Sequence, residues 1–418
     1  MIEIAFSVFL LYIAYVRPYI AIGILVNIYV LKGILMFDPN NICFSYKCLI
    51  PSTPFLSIIL PLSAFLLILF RFRRLNKIFL RLNIVDLLMV YLIIIVTVYI
   101  MISPSIMYSF LYWMKFITIG ISYYFIGKLI FSNYPFSIAL KNLLISIYFI
   151  GILAAFFSIY ILLHYGIFTI RLTIPGIHPI PFSLLVGYCL LISQYFLLFY
   201  ETLNVKNTLF LRLNIAVFLF LFIILLLTNT RGVLFSTIGV ILIVYVYYTK
   251  YIKKIKDGII ISLLTLICLL PFAFVWIFNF TEFSILFNRL LHMSNDQSVI
   301  DRIIAYKQAI KIFESKIFGV GTGAFKYYSF LEYPHNFLLE NLANYGILGL
   351  VFDYSFVLSL IFFLIKFFKR KDNIGIILIG LVLLSFTESL FSFTLWMYKT
   401  LYLFLGILSA YISIRRKL

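Results

Sequence analysis

The sequence predicts an all-α, polytopic membrane protein of about 12 transmembrane helices, with one large extracytoplasmic loop containing short helices. Three observations predict it. Hydrophobic residues make up 64% of the 418 and charged residues 11%, with a mean hydropathy of +1.14. A water-soluble domain of this size could not carry that composition on its surface. Apolar runs of membrane length recur along the chain, and lipid admits such runs as helices of about 20 residues because it cannot satisfy an open backbone. Basic residues gather in short clusters between the runs, as they do in cytoplasmic loops.

The runs fall at roughly 2 to 36, 55 to 70, 84 to 103, 109 to 131, 142 to 163, 181 to 199, 213 to 228, 232 to 249, 259 to 279, 346 to 365, 374 to 392 and 399 to 414. The first is one long span or two short ones, and that choice leaves the side of the N-terminus open. The runs define an N-terminal transmembrane bundle over 1–279, an extracytoplasmic loop with amphipathic helices over 280–345, and C-terminal transmembrane helices over 346–418.

The net charge of +19 would suit a nucleic-acid partner if it formed one surface. It does not. The clusters Arg71 to Arg81, Lys250 to Lys256, Lys366 to Lys371 and Arg415 to Lys417 sit between or after spans and land on one side of the membrane. No nucleic acid is implied, and the partners are membrane lipids and whatever the outward loops bind. Those loops are Phe37 to Pro54, Ser103 to Tyr108, His164 to Ile180, Thr228 to Arg231, Phe280 to Tyr345 and Ser392 to Tyr398. Cys43 and Cys48 fall in the first, where an oxidising compartment permits a disulfide and spacing alone equally permits two thiols. Cys189 and Cys268 lie within runs and read as small apolar packing residues.

Arginines on the outward side break the charge rule. Arg171, Arg231, Arg289 and Arg302 all fall there. A lone interfacial arginine can snorkel to headgroups, but a set of them implies an anionic ligand. Arg231, in a loop of a few residues between two apolar runs, must point into the bundle or at the membrane surface. A guanidinium there keeps its charge and offers a planar fork of donors to phosphate oxygens.

Within the long loop, Ser298 to Phe313 carries a Ser-x-x-Asp start followed by Ile303, Ile304, Ile310 and Phe313. This predicts an amphipathic helix near the interface, packed as a lid on the bundle, with Arg302 in its first turn. Gly319, Gly321 and Gly323 follow. Without the lysine and hydroxyl spacing of a P-loop they read as a tight turn. Pro334 then places a helix start at about His335, continuing or kinking near Gly346 into the next run. A helix start favours a neutral imidazole, which can accept a proton. Asn336 and Glu340 share a face, and Glu340 reads as part of a solvated one.

The ordered set resembles the O-antigen polymerase and O-antigen ligase superfamily of membrane glycosyltransferases. The residues that carry the resemblance are Arg171 with Pro181, then "TNTRG" (Thr228 to Gly232), then "DRIIAYKQAIKIFESKIFGVGTGAF" (Asp301 to Phe325), then "PHNFLLENLANYGILGL" (Pro334 to Leu350). Tyr306 stands where a Trp is frequent, and Lys316-Ile317 where a Pro often precedes the glycine. The resemblance implies transfer of a glycan from a polyprenyl-diphosphate carrier to a glycan or lipid-linked sugar acceptor. It places the enzyme in the inner, cytoplasmic membrane with its site facing the periplasm or cell exterior, and with no cofactor and no metal. The matching positions are His335, Arg231 and Arg302 for catalysis. Arg171, Arg289, Asn336 and Glu340 are expected to bind substrate.

The chemistry agrees with that expectation. Departure of a diphosphate needs charge stabilisation, which convergent arginines supply, and an attacking hydroxyl needs a proton acceptor, which His335 supplies. No D-x-D motif occurs in the sequence. The alternative is a lipid-linked oligosaccharide flippase or polysaccharide transporter, in which Asp86, Asp353 and Glu388, within or at the edge of runs, would carry cations. Such folds often show two related halves, and no such duplication is visible here.

Overall fold

The computed structural model of the protein describes residues 2–35, 59–74, 82–165, 171–200, 202–203, 208–251 and 297–415. Every regular element among them is helical. The helices are α1 (Ile2–Val16), α2 (Pro18–Val26), α3 (Ile28–Leu35), α4 (Leu60–Arg74), α5 (Ile84–Val98), α6 (Ile106–Lys115), α7 (Ser122–Asn133) and α8 (Phe136–Tyr165). They continue with α9 (Pro179–Leu198), α10 (Thr208–Leu227), α11 (Arg231–Tyr251), α12 (Gln297–Ser315), α13 (Phe337–Lys369), α14 (Asn373–Ser389) and α15 (Lys399–Arg415). A wider π-helical stretch, Phe116–Ile121, joins α6 to α7.

Among the described residues, five helical stretches are long and apolar enough to cross a membrane: Ile106–Asn133, Phe136–His164, Pro179–Leu198, Arg231–Lys250 and Phe337–Lys369, or up to six if α2 and α3 form one span. The expected first run, 2 to 36, is three helices, because Pro18 opens α2 and the helix breaks again at Asn27. The run at 259 to 279, the loop before Gln297 with Arg289, and Cys43, Cys48 and Cys268 lie outside the described residues.

The chain forms two compact units. One comprises the described parts of Met1–Val26, Ser52–Leu143 and Gln297–Leu418. In it α7 and α15 approach through glycines: a Cβ at Gly127 would meet the Leu403 carbonyl oxygen at 2.7 Å, and one at Gly406 would collide with that of Tyr124. Asn83 caps α5 in a reciprocal box with Asp86. Its amide also donates to the Ser409 carbonyl (2.9 Å) and the Ser413 hydroxyl (2.8 Å). Asp86 accepts from Lys128, Tyr124 and Ser409, so this buried carboxylate pins α5 to α7 and α15. Satisfying it on all sides is what allows a charge pair to persist in an apolar bundle.

The other unit comprises the described parts of Asn27–Pro51 and Leu144–Asp296. Asn214 of α10 donates to the Ser193 carbonyl of α9 (2.9 Å) and accepts from the Ser193 hydroxyl (2.9 Å) and from Tyr148. Cys189 is buried against Gly151, where any side chain would collide with its sulfur. This is the packing role its sequence position predicts.

Candidate functional site around Arg302 and His335

The site in the first unit is built on α12, the loop after it and the start of α13. The buried face of α12 is Ala305, Ala309 and Ile312, packed with Val320, Ala324, Phe325 and Ala343. Ile303, Ile304 and Ile310 are exposed, because only small side chains let α12 lie close on α13. α12 already begins at Gln297, so Arg302 stands in its second turn rather than its first.

The glycine loop is a turn, and its geometry explains the three glycines. Gly319, Gly321 and Gly323 have φ of +80°, +110° and +64°, a region open to glycine and costly for other residues. α13 breaks at Gly346 (φ +58°), which deprives carbonyls in the preceding turn of their helical donors. The loop replaces those donors. Val320 N donates to Ala343 O (3.2 Å), Gly321 N donates to Asn344 O (2.9 Å), and Ile347 N reaches back to Ile317 O (2.9 Å). Thr322 N binds Tyr99 O (3.1 Å) and its hydroxyl binds Val96 O (2.7 Å), tying the loop to α5. These amides therefore hold backbone rather than phosphate.

α13 starts at Phe337, two residues after the expected position. Asn336 is its N-cap, accepting from Leu339 N (3.0 Å) and donating to Leu390 O at the end of α14 (3.0 Å). His335 precedes the cap in the left-handed region, φ +56°, a conformation that costs an L-residue about 1–3 kcal/mol and recurs at functional sites. Its ring packs on Tyr333, with centroids 4.5 Å apart.

Arg302, partly buried on α12, interacts electrostatically with Tyr306, Tyr333 and Glu388. Tyr306 hydrogen-bonds to Asn336. Burial pushes the Tyr333 phenol up to about 12, reinforced by Glu332 and Glu340 and opposed by Arg302. Burial likewise raises Tyr306, against the opposing effects of Arg302 and Asn336. The Tyr398 phenol is raised well above 10 by burial, with Glu340 and Glu388 adding to it, and donates to Ser392 O (2.6 Å). The structure thus gathers Arg302, Tyr306, Tyr333, His335, Asn336 and Glu388 into one neighbourhood. Tyr333 and the electrostatic influence of Arg302 on Glu388 escape sequence reasoning. Glu388 carries a signal as a carboxylate at the edge of a span, whereas Tyr333 carries none.

Glu340 is buried, and the solvated face expected for it is not observed. Oε1 accepts from Tyr112 (2.7 Å) and Thr394, and Oε2 accepts from Leu395 N (3.0 Å). It fastens the start of α13 to α6 and to the segment before α15. Asp353, also buried, accepts from Asn341 Nδ2 (2.7 Å) across the Gly346 break.

In the second unit, Leu172 N donates to Leu227 O (2.9 Å), which brings the chain after Arg171 to the end of α10, just before Arg231. Arg231 is the first residue of α11. Thr228, Asn229 and Thr230 before it are buried, with the Thr228 and Thr230 hydroxyls bonded to each other (2.8 Å) and Asn229 left-handed at φ +49°. The buried turn fixes where the arginine emerges.

No curated protein matches the chain. Residues 216–352 match the family model described as O-Antigen ligase, a range that includes Arg231, Arg302 and His335 and excludes Arg171. Over that range the chain is similar to the O-antigen ligase family, which supports a likeness to the O-antigen ligase/polymerase superfamily.

Proposed function

We propose that the protein transfers a glycan from a polyprenyl-diphosphate carrier to a sugar hydroxyl on the outer face of the membrane, as a surface-polysaccharide polymerase or ligase. The family match supports a membrane glycan ligase or polymerase. The finer reading is carried by one observation: a cation, an imidazole and two phenols share a neighbourhood at the start of α13.

In this reading the acceptor oxygen attacks the anomeric carbon while its proton passes to His335. The bond from that carbon to the phosphate oxygen breaks, and the diphosphate leaves with the electron pair. Arg302 stabilises the departing charge. Each such donor to a developing anion is typically worth about 3–4 kcal/mol in a water-poor site. His335 is held ready by a strained backbone and by Tyr333. Asn336 and Glu340 act by positioning His335 and α13, in place of the substrate contacts their sequence position suggests. The step is a direct inversion and uses neither metal nor cofactor.

The carboxylates a transporter would need have other occupations. Asp86 is bound to Lys128 and Asp353 to Asn341, and Glu388 lies within electrostatic reach of Arg302. These contacts favour the transferase.

The test is reconstitution of the purified protein in liposomes with a synthetic polyprenyl-diphosphate glycan, products being resolved by mass. Chain extension with donor alone identifies a polymerase, and product only with a second lipid identifies a ligase. Absence of glycan transfer with every acceptor, alongside movement of the intact donor across the bilayer, overturns the proposal.

A further inference from the structure

The long loop reads from sequence as a cap over the bundle, and the surface it exposes does not suit water. On α12, Ile303 (46% exposed), Ile304 and Ile310 lie opposite the buried Ala305, Ala309 and Ile312. At about 100° per residue they share that outer side with Lys307, Lys311 and Glu314, all exposed. The apolar surface continues after the helix with Ile317 (52%) and Phe318 (68%), then Tyr327, Tyr328 and Phe330. Lysines stand among the rings: Lys316 Nζ lies 4.4 Å from the Tyr328 ring centroid and donates to its hydroxyl (2.8 Å), and Lys326 Nζ lies over Tyr108.

Two backbone ties fix the depth of this surface. Ile347 N donates to Ile317 O, so Ile317 and Phe318 are level with the Gly346 break in α13. From Ile347 to Lys369 the helix runs about 34 Å at roughly 1.5 Å per residue, close to the roughly 30 Å of a bilayer's hydrocarbon core. Below the break α13 exposes Ile347, Leu348, Leu350, Val351 and Tyr354, the side it turns to lipid. The second tie, Thr322 N to Tyr99 O, sets the same level against the end of α5, where Val98, Met101 and Ile102 are exposed. The exposed apolar side of the loop is thus continuous with lipid-facing surfaces of two helices of the same unit. Lysines and tyrosines along a boundary of this kind match what the headgroup region selects.

We infer that residues 303–330 are a membrane-docking surface. The outer side of α12 and the Ile317–Phe318 tip sit at the boundary between headgroups and acyl chains, and Lys307, Lys311, Lys316 and Lys326 reach lipid phosphates. The occupant is the bilayer itself. Arg302, on the flank of α12 between its lipid-facing and buried sides, then lies at the depth where a lipid-linked diphosphate sits. This consequence rests on the proposed function, while the docking does not.

The test measures depth, not activity, so the two readings fail separately. In full-length protein with its native cysteines replaced, single cysteines at Ile303, Phe318 and Tyr354 carry nitroxide labels in nanodiscs containing anionic lipid. Collision with oxygen and with a water-soluble nickel chelate is then measured. The expected result is that labels at 303 and 318 favour oxygen several-fold over the chelate, as the label at lipid-facing 354 does. Labels at 303 and 318 reached freely by the chelate place the loop in water and overturn the inference. Shielding from both reagents means a protein covers the surface and overturns it equally. If the cysteine-free chain does not fold, Phe318→Trp in the native chain replaces this arm. Brominated lipids are expected to quench it beyond the background of Trp113, Trp276 and Trp396, and no added quenching overturns the inference.

Discussion

Gly319→Ala separates a structural turn from a phosphate cradle. Gly319 has φ +80°, and a Cβ there would approach the Asn344 carbonyl carbon and Gly346 N to 2.7 Å. The backbone conformation alone costs alanine about 1–2 kcal/mol. The overlap is with backbone on both counts, so the loop must withdraw from the broken turn of α13. Withdrawal weakens the bonds from Val320 N and Gly321 N to Ala343 O and Asn344 O, and from Ile347 N to Ile317 O. Each contributes about 1 kcal/mol net, and more where lipid offers the stranded carbonyl no water. The expected loss of stability is about 3–5 kcal/mol. Gly239, in α11, has nothing within 4 Å of an added Cβ, so Gly239→Ala is expected to be neutral or to stabilise by up to about 1 kcal/mol. Unfolding by denaturing detergent in mixed micelles, followed by circular dichroism, measures both. The reasoning is refuted if Gly319→Ala leaves stability within about 0.5 kcal/mol of wild type while donor affinity falls. In that case the glycines hold phosphate.

Further outcomes follow from the same geometry. Glu340→Ala strands Tyr112, Thr394 and Leu395 N and is expected to destabilise by about 3–5 kcal/mol in the same unfolding assay, whereas Glu340→Gln keeps the shape and loses less. Asn336→Ala removes the cap of α13 and its tie to Leu390 O. It should cost about 1–2 kcal/mol and lower turnover, with Asn336→Asp restoring the cap but not the tie. Burial raises Tyr333 from 10.0 to about 12, so the folded state keeps a proton that the unfolded chain gives up first. The resulting stabilisation is full below pH 10 and is lost as pH rises through about 12. Unfolding midpoints measured across that window should fall less steeply for Tyr333→Phe than for wild type.

The sequence makes the helices legible because each apolar run is bounded by something physical, such as Asn83 before α5, Pro179 at the start of α9 or Asp372 before α14. It singles out Arg302, His335 and Arg231 as candidates because cations and an imidazole are conspicuous among apolar runs, and Arg302 and His335 do share Tyr333 as a neighbour. It misplaces what depends on packing partners. The isoleucines of α12 outrank its alanines in hydropathy, yet close approach to α13 selects the alanines and leaves the isoleucines exposed. Glu340 reads as solvated because Tyr112 and Thr394, its partners, are 228 and 54 residues away. The start of α13 shifts from His335 to Phe337 because Asn336, not Pro334, provides the cap.

Turnover of a polyprenyl-diphosphate glycan by purified wild type, Arg302→Ala and His335→Ala in liposomes tests the central claim most directly, each variant first being checked for an unchanged unfolding midpoint. The account predicts that both variants bind donor yet lose about a hundredfold or more in the rate of diphosphate release. Folded variants that turn over at the wild-type rate would contradict it.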